Sequence, residues 1–120
     1  MVGIDILDLD RLDTSDKFIR KIADEQELAY IKKSPCESLQ KQRLGALFCV
    51  KEAVMKALEL GKDSKVSFKD IKLCHAESGK PFVKLQGVAK EKMDKCFAGK
   101  QIEVSLSHTP NYATAIAIIS

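Results

Sequence analysis

Tryptophan is absent from the sequence, and aromatic residues make up only 6% of its 120 positions. That argues against the aromatic platforms on which single-stranded nucleic acids stack. Charge of one sign is also scarce. Twenty Lys and Arg against 17 Asp and Glu leave a net charge of +3, too small to indicate a nucleic-acid partner. No run approaches the ~20 consecutive apolar residues of a membrane span. The first residues are too acidic, and their apolar run too short, to read as a signal peptide. The four cysteines, Cys36, Cys49, Cys74 and Cys96, lie far apart without a C-x-x-C pair. They form neither a zinc-ligand pattern nor a disulfide framework, and they suit a reducing, cytoplasmic compartment. Repeats, low-complexity tracts and linkers are missing too. The expectation is one domain over residues 1–120, large enough for a single core.

What the sequence does have is a long helical stretch, LGALFCVKEAVMKALEL, from Leu44 to Leu60. It is built of good helix formers and contains no proline. At 100° per residue, Leu44, Leu47, Phe48, Met55 and Leu58 fall on one stripe. Lys51 lies in the middle of that stripe. Glu52 lies at its edge beside Gly45 and Cys49, with Lys56 one turn on. Burying a lysine or a carboxylate costs free energy unless it is partnered, so the pattern predicts an anion for Lys51 and a cation for Glu52. The plainer alternatives are a snorkelling lysine and an ordinary i,i+4 surface pair between Glu52 and Lys56.

Before this helix, VGIDILDL predicts a buried strand with Val2, Ile4 and Ile6 on one face and Gly3, Asp5 and Leu7 on the other. Asp8 and Asp10 are explained by a turn or cap at the strand's end. Asp5 is not, and it calls for a cation, a metal or backbone N–H partners. Asp13 to Ile22 opens with capping residues and continues as a short helix whose Lys17, Arg20 and Lys21 share one basic face. Asp24 or a neighbour caps a second helix to about Lys33, and Ser34-Pro35 breaks it. After the long helix, Gly61 is expected at its C′ position. The Gly61-Lys62 pair lacks the upstream glycine of a phosphate-binding loop. Lys65 to Leu73 reads as a strand with an irregularity near Asp70. Glu77 to Lys80 is a hairpin turn, Pro81 opens a second strand, and Gly87 to Cys96 is a short basic helix. Gln101 to Ser107 alternates with Ile102, Val104 and Leu106 inward. After the turn Thr109-Pro110-Asn111, the apolar run Ala113 to Ile119 predicts a central strand covered on both faces. Strands, helices and antiparallel strands in this order make an α+β class.

Three stretches together carry a resemblance: VGIDILDLDRL, FCVKEAVMKALELG and EVSLSHTPNYATAIAII. In order and spacing they resemble the bacterial holo-acyl-carrier-protein synthases, the short single-copy 4′-phosphopantetheinyl transferases. VSFKDIKL and the turn Gly79-Lys80-Pro81 add to it. The resemblance implies a phosphopantetheinyl transferase fold, with an antiparallel sheet packed on the long helix. It implies Mg2+-dependent transfer of the phosphopantetheine arm of coenzyme A to a serine of apo acyl carrier protein, in fatty acid biosynthesis. Adenosine 3′,5′-bisphosphate is released. It implies Asp5 and Glu52 as metal ligands, Lys51 and Lys56 as the basic groups beside the reacting phosphates, and the general base left open. His108, Thr109 and the turn Gly79-Lys80-Pro81 are implied near coenzyme A. Arg11, Lys17, Arg20 and Lys21 would meet the acidic carrier protein. A homotrimer with active sites between protomers is also implied. Two positions depart from the family: Leu47 replaces a common arginine, and Glu59-Leu60-Gly61 replaces a common Gly-Thr-Gly. The competing reading is a trimeric binding module of the same fold without chemistry.

Overall fold

The computed structural model describes all residues 1–120. Its axis is the 21-residue helix α3, Glu37–Ala57, one of four helices with α1 (Asp16–Ile22), α2 (Glu25–Lys32) and α4 (Gly87–Cys96). Strands β1 (Val2–Asp8), β5 (Tyr112–Ile119) and β4 (Ile102–His108) form an antiparallel sheet in the order β1-β5-β4. Strands β2 (Ile71–His75) and β3 (Pro81–Leu85) form a separate hairpin. The α+β class, the single domain and most elements agree with the sequence reading.

Residues of α3 are buried on nearly every side in its second half, because the helix lies between two layers. Its small-residue side meets the sheet. Gly3 of β1 touches it so closely that an added β-carbon would lie 2.7 Å from Ala57 N and closer still to the Ala53 carbonyl oxygen. The sheet answers with small residues of its own, since Ala113, Ala115 and Ala117 of β5 are all buried. Its other side receives α1 and α2, where Ile22, Ala23, Ile31, Leu44 and Leu47 form a second cluster of buried residues. Leu47, one of the two positions expected to depart from the family resembled, is thus a core residue, 2% exposed.

Both short helices begin as their sequences predict. Ser15 Oγ accepts from Phe18 N at the start of α1. At the start of α2, Asp24 and Glu27 exchange bonds in a capping box, with Asp24 Oδ1 accepting from Glu27 N at 2.8 Å and Glu27 Oε1 accepting from Asp24 N at 2.9 Å.

Three expectations are corrected. The residues before β2 are not strand: Ser67 caps a 3-10 turn over Phe68–Asp70, and the strand starts only at Ile71. The C′ residue of α3 is Glu59, not Gly61. Leu60 N donates to Met55 O at 2.9 Å and Glu59 N to Lys56 O at 3.1 Å, which is a Schellman ending. It places Glu59 at φ 58°, in the left-handed region that favours glycine. Finally, β5 is central but covered on one face only. Gly3, Asp5 and Leu7 of β1 and Ala113, Ala115 and Ala117 of β5 face α3. On the opposite side Val2, Ile4, Ile6 and Ile118 are 61%, 62%, 70% and 44% exposed. The period of two sorts the residues of β1 as predicted, but its branched side chains lie on the open face.

The strained helix ending gives a direct test. Replacing Glu59 by Gly removes the β-carbon penalty at an exposed position and stabilises the fold by about 1 kcal/mol. Urea denaturation of the two proteins checks this. An unchanged or lowered midpoint contradicts the reading of the turn.

Candidate active site

The register of the sheet sets Asp5 opposite Ala115, and Ala115 opposite Leu106, on the face toward α3. Because Gly3 admits the helix backbone, Asp5 two residues on comes beside the two turns of α3 that carry Cys49, Glu52 and Lys56. Lys56 Nζ donates to Asp5 Oδ1 at 3.2 Å and to Ile4 O at 3.0 Å. Thr114 Oγ1 donates to the Asp5 carbonyl at 2.8 Å, pinning the strand where the carboxylate leaves it. The Lys56 side chain is 53% exposed and that of Asp5 17%. The pair is therefore worth at most about 1 kcal/mol to the fold and leaves the ammonium open to an incoming anion.

Electrostatics tie Glu52 to the same cluster. Burial, aided by the negative charge of Asp5, pushes its carboxyl above the ordinary range, with Lys56 opposing. The Cys49 thiol is pushed up to about 12, first by burial and then by Asp5 and Glu52. It donates weakly to Ala113 O at 3.5 Å and stays protonated. The repulsion felt by Glu52 is what a cation between two carboxylates would relieve. No group of three or more potential metal-ligating side chains is gathered in the structure. Two carboxylates suit a hard cation that keeps water and substrate oxygens as its other ligands.

Lys51 does not join this cluster. Five positions before Lys56, it projects from the far side of the helix and is 0% exposed. Its ammonium donates to Ile22 O at 2.6 Å, Glu27 Oε1 at 2.9 Å and Phe68 O at 3.0 Å. These bonds use all three donors. Burial pulls its pKa below the usual lysine value, and Glu27 works against that. The anion expected for Lys51 is thus Glu27, a protein carboxylate, and the buried ammonium is turned away from where Lys56 offers its charge. The sequence reading missed Glu27. The D-x-x-E spacing of Asp24 and Glu27 was its visible signal, but nothing local reveals that the same carboxylate also reaches Lys51 and Leu73 N, the latter at 2.9 Å.

The remaining candidates lie elsewhere. His108 Nδ1 is 2.8 Å from Gln42 Oε1. It sits two strands and two residues from Asp5, roughly 12 Å away by sheet spacing. Thr109 Oγ1 accepts from Asn111 N and Tyr112 N at 3.2 and 3.0 Å, closing the turn between β4 and β5. Gly79, at φ 89°, and Lys80 form the exposed tip of the β2–β3 hairpin ahead of Pro81. Arg11, Lys17, Arg20 and Lys21 are exposed and paired with no carboxylate. Lys21 rests 5.8 Å from the Phe68 ring centroid. A stack was also missed. Arg43 lies over the Tyr30 ring at 4.6 Å, and Tyr30 stacks on His75 at 4.2 Å. It borders a small pocket that His108 and Leu47 also line.

Comparison with known proteins gives this arrangement a context. A holo-[acyl-carrier-protein] synthase of Thermoanaerobacter sp. is 35% identical over 121 residues, spanning 98% of this chain and 84% of the relative. The Chlamydia trachomatis serovar D protein of that name is 38% identical over 124 residues, spanning 98% and 96%. Among solved structures, the Helicobacter pylori holo-[acyl-carrier-protein] synthase in complex with coenzyme A has 29% identity and a TM-score of 0.80, covering 100% of both chains. The Bacillus anthracis enzyme in complex with CoA (3′,5′-ADP) has 28% identity and a TM-score of 0.79, covering 98% of this chain and 93% of that one. The family model described as 4′-phosphopantetheinyl transferase superfamily matches residues 1–117. The match includes both the strand that carries Asp5 and the helix that carries Glu52 and Lys56, and so this chain belongs to the 4′-phosphopantetheinyl transferase superfamily.

Proposed function

We propose that the protein is a holo-acyl-carrier-protein synthase, moving the 4′-phosphopantetheine group of coenzyme A onto a serine of apo acyl carrier protein in fatty acid biosynthesis. The observation that carries this reading is the Asp5–Glu52–Lys56 cluster, held at a strand–helix contact in a chain that matches the family almost end to end. The serine hydroxyl of the carrier gives up its proton, which ends in solvent, as its oxygen forms a bond to the phosphorus bearing the pantetheine. The bond from that phosphorus to the bridging oxygen breaks, and adenosine 3′,5′-bisphosphate leaves. Lys56, already directed at Asp5, is accessible to donate to phosphate oxygens as charge moves toward the leaving group. Asp5 and Glu52 would hold Mg2+, which supplies positive charge to the pyrophosphate when bound. Lys51 is left out of the catalytic set, because its donors are spent inside the protein. His108, Thr109 and Gly79-Lys80-Pro81 are assigned to coenzyme A.

The separation of His108 from Asp5 within one chain fits a long ligand that spans two chains. The open sheet face fits a partner copy, since Val2, Ile4, Ile6 and Ile118 form a contiguous apolar surface larger than scattered exposure explains. A homotrimer with sites between protomers accounts for both. The cytoplasm is the assigned location. No helix is long and apolar enough to cross a membrane, and all four cysteines are free.

The direct test is mass spectrometry of apo acyl carrier protein after incubation with this protein, coenzyme A and Mg2+. The carrier gains the phosphopantetheine mass, and a carrier left unmodified overturns the assignment. Asp5→Asn or Glu52→Gln lowers kcat/KM by about 100-fold or more while leaving the circular dichroism spectrum intact. Retained activity in both would remove the metal pair.

Assembly is checked by light scattering. The native protein is expected at three times the chain mass, and Ile4→Glu with Ile6→Glu is expected to give inactive monomers. A fully active monomer contradicts the shared site.

The basic face of α1 is assigned to the carrier. Lys17→Glu with Arg20→Glu weakens carrier binding mainly through the association rate and leaves coenzyme A binding unchanged, and salt mimics it in the native protein. Paired titrations decide the matter, since equal loss for both ligands or for neither moves the docking site elsewhere.

A further inference from the structure

Lys51 is the fully buried charge that the chemistry does not use. A buried ion pair is seldom worth more to stability than a well-packed apolar replacement, so stability alone does not explain it. Its surroundings are specific. Ile22, whose carbonyl accepts from Lys51 Nζ, is the last residue of α1. A cation belongs at that negative helix end. Glu27, the pair's anion, lies in the first turn of α2, the positive end of the next helix, and its second oxygen accepts from Leu73 N of β2. The third acceptor, Phe68 O, belongs to the 3-10 turn whose aromatic ring supports Lys21. One ammonium therefore ties together the end of α1, the start of α2 and the turn under the basic face. It projects from the residue of α3 immediately before Glu52.

We propose that Lys51 is a positioning residue. Paired with Glu27, it sets the basic face of α1 at a fixed place relative to Glu52, so that a docked carrier presents its serine at the reacting phosphate. This rests on the carrier-docking role given to α1 above. Seven residues are too few for a helix to hold itself in water. α1 depends on Phe18, Ile19 and Ile22 for adhesion, and on the Lys51 bond for fixing the direction of its C-terminal end. Apolar contacts tolerate sliding, whereas three hydrogen bonds from one tetrahedral ammonium do not.

The test uses Lys51→Met with Glu27→Gln. The glutamine keeps one acceptor oxygen, enough for Asp24 N or Leu73 N but not both, and leaves no lone buried charge. The expected outcome is a carrier KM raised roughly 5- to 10-fold, with the KM for coenzyme A unchanged and kcat within about twofold. A kcat lowered 100-fold with both KM values kept would make Lys51 a phosphate contact and overturn the proposal. No kinetic change at all would overturn it as well. Hydrogen exchange supplies a readout independent of activity. Amides of residues 17–22 should exchange at least about tenfold faster in the variant, and those of β5 at their native rate. Unchanged α1 protection refutes the positioning role even if the transferase assignment fails. Glu27→Gln alone strands the buried Lys51 charge and should show the same pattern. Should neither variant fold, reductive methylation of the native protein decides. Lys56 is modified, whereas Lys51 resists with and without coenzyme A. Modification of Lys51 that coenzyme A prevents would overturn the proposal.

Discussion

The fold turns on one close approach, that of the α3 backbone to β1 at Gly3. A side chain there would collide with backbone atoms of Ala53 and Ala57, and backbone cannot step aside as a side chain can. Everything at the candidate site is counted from this contact. Two residues along the strand comes Asp5. One residue before Ala53 comes Glu52, and one before Ala57 comes Lys56. A methyl group at position 3 would push the strand and helix apart and separate the charges that the site requires to be close. Small residues along the interface carry the same constraint further: the alanines of β5 and Cys49 permit the helix to lie flat on the sheet.

A division of labour follows along α3. The side facing the sheet presents groups that remain available, namely a half-buried carboxylate and an exposed lysine. The side facing α1 and α2 carries Lys51, whose charge is consumed internally. Two lysines five positions apart, identical in chemistry, acquire opposite fates from 140° of helix rotation.

The sequence made elements legible where local chemistry decides them. Ser15 and Asp24 at helix starts, Gly79 at a hairpin tip and alternation in β4 all led to the observed structure, and the grouping of Asp5 with Gly3 and Leu7 on one face of β1 came directly from the period of two. The end of α3 was misjudged, because glycine is the expected left-handed residue and Glu59 takes that conformation without being one. What covers the open face of the sheet was not legible, because an apolar side chain looks the same in sequence whether its own chain or another molecule covers it. The Asp5 and Glu52 positions were visible as carboxylates in apolar settings. The helix period also set Lys51 in the apolar stripe and Lys56 beside Glu52 at its edge, but the partner that consumes the Lys51 charge was not visible, since Glu27 lies 24 residues away in sequence.

The exposed isoleucines of β1 carry a consequence for how the protein behaves on dilution. In the trimer proposed above, this sheet face is finished by association, and association obeys mass action. The resistance of such a protein to heat or urea then rises with its own concentration. A newly made chain, meeting few copies of itself, passes through a period when β1, an edge strand with branched side chains facing water, is open to wrong partners. In that assembly the abundance of the protein would be one of the determinants of its folded state.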